Sequence, residues 1–289
     1  MLGSKATIAV PEGFAWEATL GFLRTRALRG IEQITEESYS RVLDVSGRLV
    51  EVSRDPATRQ ILVRCLPDLS APDDRVLRRV RALFDVAADG RAVRAHLARS
   101  PHLREVLRGV ADLRVPGCWD PFELAVRAVL GQQVSVAAAS TLMARLIACC
   151  GQAAGGGFLF PDPATLAEAD LSGIGLTRSR MATLRALAQA VADGRALGNG
   201  TGSLEQVVAE LCAIPGIGPW TAHYVALRGL GHPDAFPVSD LGLRRAAGGS
   251  GGPLALRELT RRAEEWRPWR SYAAIALWQY EGRQGKGGG

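Results

Sequence analysis

Leu211-Cys212-Ala213-Ile214-Pro215-Gly216-Ile217-Gly218-Pro219-Trp220-Thr221-Ala222-His223-Tyr224 is the stretch on which the fold turns. Just upstream, Leu204, Val207, Val208 and Leu211 recur at i, i+3, i+4 and i+7, the spacing of one helix face, which predicts an amphipathic helix over Leu204–Ala213. Pro215 ends it, because proline has no N–H to continue the ladder and its ring clashes with the preceding turn. Pro219 suits the first turn of a new helix, where that N–H would have no partner anyway, and Gly229 closes this helix after Arg228. The two make a helical hairpin at about residues 204–229. Free amides and the positive dipole end at the start of the second helix can hold a phosphate, with Gly216 and Gly218 letting a nucleic-acid backbone come close. Taken alone, the turn equally fits a tight helix–helix connection in which Ile217 plugs the core.

Working outward, Ser172-Gly-Ile-Gly175 is a weak echo of the hairpin, and a helix is expected over Thr177–Asp193, with another at Thr165–Asp170. Asp120-Pro121-Phe122-Glu123 is a helix start, with Asp as cap, Pro in the first position and Glu three residues after the cap. The helix it opens runs to Leu130. Gly131-Gln132-Gln133 then interrupts before an Ala-rich helix over Ser135–Cys150, leaving two amides at the tip of a loop. Gly155–Gly157 reads as a flexible break, and 194–202 as a Gly-rich loop. The first third is different. Ser40–Val45 and Gln60–Cys65 are β-rich and bounded by turns at Ser46-Gly47 and Asp55-Pro56, between helical patterns at Trp16–Leu28 and Asp74–Phe84. The expectation is an α+β, mainly α protein: an N-terminal domain with an antiparallel sheet at 1–95, then a helical region at 96–289.

At 289 residues the chain can bury a large core without staples. Five cysteines, at 65, 118, 149, 150 and 212, show no metal-ligand spacing, and an odd count without a signal peptide suits a reducing cytoplasm or nucleoid. No apolar run reaches membrane length. A net charge of +6 permits a polyanionic partner without requiring one. The terminal Gly285-Lys-Gly-Gly-Gly offers nothing to pack and is expected to be disordered.

The hairpin stretch followed by Phe236-Pro237-Val238-Ser239-Asp240 resembles the signature and catalytic aspartate of helix-hairpin-helix DNA glycosylases. Within that superfamily the chain is most similar to the bacterial 3-methyladenine DNA glycosylase II type. Further similar segments are Trp16-Glu-Ala-Thr-Leu-Gly-Phe-Leu, Val115-Pro-Gly-Cys, Leu130-Gly-Gln-Gln-Val-Ser and Trp266-Arg-Pro-Trp-Arg-Ser-Tyr, so nearly the whole chain is covered. The resemblance implies two helical lobes behind the sheet domain with a cleft between them. It also implies a monomer that flips alkylated purines, of the 3-methyladenine and 7-methylguanine class, out of damaged double-stranded DNA and leaves an abasic site. Similar domains occur fused behind a methylation-sensing repair module.

On that resemblance Asp240 is the catalytic carboxylate, stabilising positive charge on the sugar as the base departs; the competing reading is a helix cap, and Asp234 is expected in a solvent loop. Trp220 and Tyr224, at i and i+4, share a helix face and would wall a base pocket, with Trp278 and Phe22 as further walls. Trp266, Trp269 and Tyr272 read as core. Gln132, Gln133, Gly216, Gly218 and Thr221 are the expected DNA contacts, one glutamine filling the hole left by the flipped nucleotide. Relatives that also cut the strand carry a lysine where this chain has Trp220, and others hold an iron–sulfur cluster on cysteines that are absent here. Hydrolysis without a cofactor is therefore expected, apart from a monovalent cation, sodium or potassium, on the backbone carbonyls of Cys212, Ile214 and Ile217. His223 and His232 read as uninformative. Two departures stand out: Gln133 where the best-known member has leucine, and Leu241 where it has an aromatic. Remaining alternatives are a glycosylase of the same fold for deaminated or oxidised bases, and a DNA-binding protein without catalysis.

Overall fold

The computed structural model describes residues 5–55, 57–67, 71–195, 197 and 202–284. Most of the Gly-rich stretch at 194–202, Pro56 and all of 285–289 therefore lie outside the described residues.

The N-terminal part is a five-stranded antiparallel sheet in the order β1 (Ala6–Ala9), β5 (Gln60–Leu66), β4 (Leu49–Asp55), β3 (Ser38–Val42), β2 (Glu32–Ile34). In the β4–β5 register Val50 faces Cys65 and Val52 faces Val63, and these alternate residues all point to one buried side. Against them pack α1 (Trp16–Arg24) and α2 (Asp74–Leu83), with Trp16 stacked on Phe84 at 4.8 Å between ring centres. Helix α1 ends at Arg24, short of the expected Leu28, and strand β1 carried no pattern long enough to announce itself.

Behind the sheet the chain is helical: α3 (Gly90–Leu97), α4 (Pro121–Leu130), α5 (Val136–Cys150), α6 (Pro163–Glu168), α7 (Arg178–Ala192), α8 (Leu204–Cys212), α9 (Pro219–Arg228), α10 (Leu241–Gly248), α11 (Leu256–Glu264) and α12 (Arg270–Gln284). Asp120 caps α4 by accepting the Phe122 amide at 2.8 Å, and α4 is buried from Phe122 onward, running through the helical core against α7 and α9. Where a flexible break was expected, Gly155 and Gly156 instead turn a small hairpin, β6 (Gln152–Ala154) with β7 (Gly157–Leu159). Both turn residues have positive φ, as a two-residue hairpin turn demands. The hairpin docks on the sheet domain, where Phe158 N donates to Gly30 O at 2.8 Å and Gly155 meets Gly47 too closely for either to carry a Cβ.

Packing does not divide at residue 95. Trp119 belongs to the sheet core, whereas Phe22, Leu28, Ile31 and Val93 belong to the helical one. No helix among the described residues is long and apolar enough to cross a membrane.

Candidate active site

The hairpin of α8 and α9 turns at 213–218, with Ile214 and Ile217 both buried in the helical core. Gly216 has φ +85, and a Cβ there would fall 1.9 Å from Thr183 Oγ1 of α7, so only glycine allows this contact between the turn and α7. Gly218 caps α9 with open space around it, and its exposure leaves the first amides of α9 free for a ligand. The turn with open amides and the core-plugging isoleucine, alternatives in the sequence, are thus one arrangement.

From α9 the Trp220 and Tyr224 rings stack in parallel, 5.4 Å apart and 6° from coplanar, and Trp278 of α12 meets Tyr224 edge-on at 5.9 Å. Asp240 arrives from the connection between α9 and α10. Its Oδ1 accepts the Leu243 amide at 2.9 Å and so caps α10, while accepting the Trp278 indole N–H at 3.0 Å; its Oδ2 accepts the Trp220 indole N–H at 2.9 Å. Cap and cleft carboxylate, alternatives from sequence, are the same residue. Gly242 keeps room for this, since a Cβ there would lie 3.1 Å from Asp240 Oδ1.

These residues line a cavity of about 240 Å3 whose other walls include Arg26, Arg127 and the first turns of α5 at Val136 and Ala139. The arginines have no counterpart among the sequence-derived candidates. Arg228 donates to Tyr224 Oη at 3.1 Å and to the carbonyls of Pro116, at 2.8 Å, and Gly117. Burial pushes the Tyr224 phenol up, yet Arg228, Arg26 and Arg127 together hold it below its ordinary value. Arg26, brought down to about 10 by burial, lies 3.8 Å over the Phe22 ring. Phe22 is consequently covered and does not line the cavity: Arg26 takes the wall position expected of it. The hint was available, for Arg26 follows Phe22 by one helical turn.

Gln133, at the tip of the loop between α4 and α5, has left-handed backbone (φ +57) and an exposed side chain. Gln132 and Thr221 behave otherwise. Thr221 is buried, and the amide of the half-exposed Gln132 donates to its Oγ1 at 3.1 Å, so both side chains are engaged within the protein. The carbonyl of Ile214 already accepts the Ile217 amide at 3.0 Å.

Asp234 is also placed differently from expectation. Rather than sitting in solvent it is 8 % exposed, bound by Arg270 through Nε at 2.8 Å and Nη2 at 2.9 Å, and by Arg267. His232 Nδ1 accepts its backbone amide at 3.2 Å, and His223 Nδ1 accepts that of Phe236 at 3.3 Å, so both histidines shape the connection that delivers Asp240. Burial, then the charge of Arg270, keeps His223 below its ordinary pKa and favours the neutral, accepting ring. Trp266 and Tyr272 are core residues, and Trp269 packs edge-on against Tyr272.

Comparison with known proteins agrees with this geometry. Residues 6–120 match the family described as the AlkA N-terminal domain, and residues 126–268 match the HhH-GPD superfamily of base excision DNA repair proteins. The chain is 41 % identical over 272 residues to a Mycobacterium tuberculosis protein called a probable bifunctional transcriptional activator/DNA repair enzyme AlkA, covering 92 % of this chain and 54 % of that one. It thus spans about half the length of that relative. It is 34 % identical over 279 residues to DNA-3-methyladenine glycosylase 2 of Escherichia coli, covering 94 % of this chain and 95 % of the relative. Among solved structures, 3-methyladenine DNA glycosylase from Archaeoglobus fulgidus shares the fold, with a TM-score of 0.80 at 20 % identity over 96 % of this chain and 98 % of that one. With both regions matched in order and a relative covered over nearly its whole length, the chain belongs to the AlkA family of HhH-GPD base excision DNA repair proteins.

Proposed function

We propose that this protein is a monofunctional DNA glycosylase that acts as a monomer on nucleoid DNA, hydrolysing the N-glycosidic bond of alkylated purines in duplex DNA and leaving an abasic site. The observation that carries the proposal is a carboxylate, Asp240, held by two neutral indole donors in a cavity walled by stacked aromatic rings. As the base leaves, positive charge grows on the sugar, and Asp240 stabilises it while water attacks C1′. Trp220 and Tyr224 offer their faces to a cationic methylated purine, an attraction worth about 2 kcal/mol when desolvated. A lysine nucleophile for strand cleavage is not among the described residues that line the cavity, and Trp220 stands where the resemblance would place it.

Bound DNA would rest its phosphate on the Gly216–Gly218 turn and take Gln133 into the gap left by the flipped base. The carbonyls of Cys212, Ile214 and Ile217 are a neutral oxygen set near the negative end of α8, and the Ile214 oxygen keeps a lone pair beyond its one amide. Such a set fits a monovalent cation, sodium or potassium, which when bound would supply positive charge beside a phosphate.

A second reading, excision of deaminated purines, is favoured by Arg127. Its Nη2 is spent on Ser140 at 3.1 Å, but its buried Nη1 has no partner among the described residues and would welcome a base carbonyl. The test is release of free bases from methylated and from hypoxanthine-containing duplexes by the wild type and by Asp240→Asn, with DNA binding measured in parallel. A loss of about a hundredfold on methylated DNA with binding retained is expected. If neither protein releases a methylated base while both bind DNA, the alkyl-purine assignment is wrong.

A further inference from the structure

The loop between α4 and α5 and the hairpin turn are the two elements that must engage DNA together, one at the gap and one at the backbone. A set of hydrogen bonds joins them in the free protein. Gln132 Nε2 donates to the carbonyl of Gly216 at 3.2 Å and to Thr221 Oγ1 at 3.1 Å, so one side chain reaches from the loop to both the turn and the first part of α9. From the other side Arg180 Nη2, on the first turn of α7, donates to the main-chain carbonyl of Gln132 at 2.6 Å. The same helix presents Thr183 to Gly216, in the contact that excludes any Cβ there. Residue 132 is thus fixed by side chain and carbonyl at once, and the next residue, Gln133, carries the left-handed backbone that a non-glycine residue adopts only when its surroundings impose it.

We infer that Gln132 is a positioning residue: it contacts no DNA itself but ties the gap-filling loop to the hairpin, so that Gln133 and the phosphate-holding turn present to DNA in one fixed register. The inference rests on the glycosylase reading for its consequence, though not for the tether. Fixing the two elements in advance removes their relative motion from what base flipping, rather than the first binding of duplex, must freeze, and it places Gln133 before the base moves. The chemistry demands an amide at 132. Leucine of similar length could fill the space but would leave the Gly216 carbonyl and the Thr221 hydroxyl without this donor.

The decisive experiment combines hydrogen exchange on the free protein with base flipping and single-turnover base release, for Gln132→Leu, Thr221→Val, their double variant and the conservative Thr221→Ser. The expected result is faster amide exchange at both 131–135 and 214–218 in Gln132→Leu, with the same melting behaviour elsewhere. Flipping, read by a 2-aminopurine beside the lesion, and base release should fall about tenfold in Gln132→Leu and less in Thr221→Val, with the double variant no worse than Gln132→Leu alone. Thr221→Ser, which keeps the hydroxyl, should behave as wild type, and affinity for undamaged duplex should not change. Unchanged exchange in the two segments overturns the tether outright, whatever the DNA assays show. Losses that multiply in the double variant, together with weaker binding to undamaged DNA, mean that the two side chains touch DNA independently, and this also overturns it. A wild type that neither flips nor releases a base defeats the functional reading instead, while the exchange result still decides the tether.

Discussion

Asp234 and Asp240 stand on the same connection between α9 and α10, and the fold treats them in opposite ways. Asp234 is shut in by two guanidiniums, with the Arg270 side chain as buried as that of Asp234 itself. Its charge is cancelled where it sits, and what remains is a clamp on the start of α12. Among the described residues Asp240 receives only neutral donors, the indoles of Trp220 and Trp278 and the amide of Leu243. Hydrogen bonds from neutral groups fix a carboxylate's orientation without cancelling its field, and a field is what a cationic transition state needs. A guanidinium partner would have held Asp240 as firmly and disarmed it. Position in sequence did not separate the two; the kind of donor did.

The sharpest way to break this contrast is to remove each charge in turn. Asp240→Asn should cost about a hundredfold in base release while leaving the fold intact. Asp234→Asn should do the reverse. Leaving the buried Arg270 with only the half-exposed Glu264, which Arg267 shares, should lower unfolding stability by about 2 kcal/mol in urea titrations, with the rate per folded molecule unchanged. If Asp234→Asn slowed base release as much as Asp240→Asn, the division of labour would be wrong.

A smaller effect tests the indole donors. Trp278→Phe keeps a ring beside Tyr224 but deletes the N–H at Asp240 Oδ1, and should slow the chemical step about tenfold, read in single turnover. An undiminished rate would mean that the ring alone matters.

The smallest effect comes from a third aspartate. Burial pushes the Asp85 carboxyl up to about 6, an effect only partly offset by the Val115 amide donating to it at 3.0 Å. Its folded pKa lies above the ordinary 3.8, so its contribution to stability is complete below 3.8 and is lost as the pH rises through about 6. Asp85→Asn should therefore raise stability at pH 8 by about 1–2 kcal/mol relative to wild type and flatten the decline between pH 4 and pH 7. Unfolding curves at pH 5 and pH 8 check this; a variant less stable at pH 8 would show that the charged form is the one the fold prefers.

Much of the architecture was legible because its signals are local. The i, i+3, i+4, i+7 face of α8, the Asp120-Pro121 start of α4 and the Pro-Gly-Ile-Gly turn each encode their own geometry, and all are where the sequence placed them. Trp220, Tyr224 and Asp240, read from a helical spacing and a motif, do converge on one cavity with Trp278. What escaped depends on distant partners. Strand β1 exists because β5 pairs with it, and the Gly155-Gly156 turn is a hairpin because the sheet domain receives it. Asp234 looked solvent-exposed because Arg267 and Arg270 lie on the far side of α10 and α11 in sequence. Arg26 displaced Phe22 from the cavity wall for a related reason, since Arg26 lies just past the end of α1 and only the folded chain lays its guanidinium over the Phe22 ring. Gln132 and Thr221 carried no mark that they would find each other.

The wall formed by Arg26 has a consequence for how such proteins diversify. Arg26 lies within the N-terminal matched region, whereas Asp240, Trp220 and Tyr224 lie within the second. The chamber that would receive a base is therefore jointly owned, and neither region could be exchanged for a counterpart without altering the lodging of the base. On the function proposed above, recombination at the junction would leave Asp240 in place and change one wall of the chamber it faces.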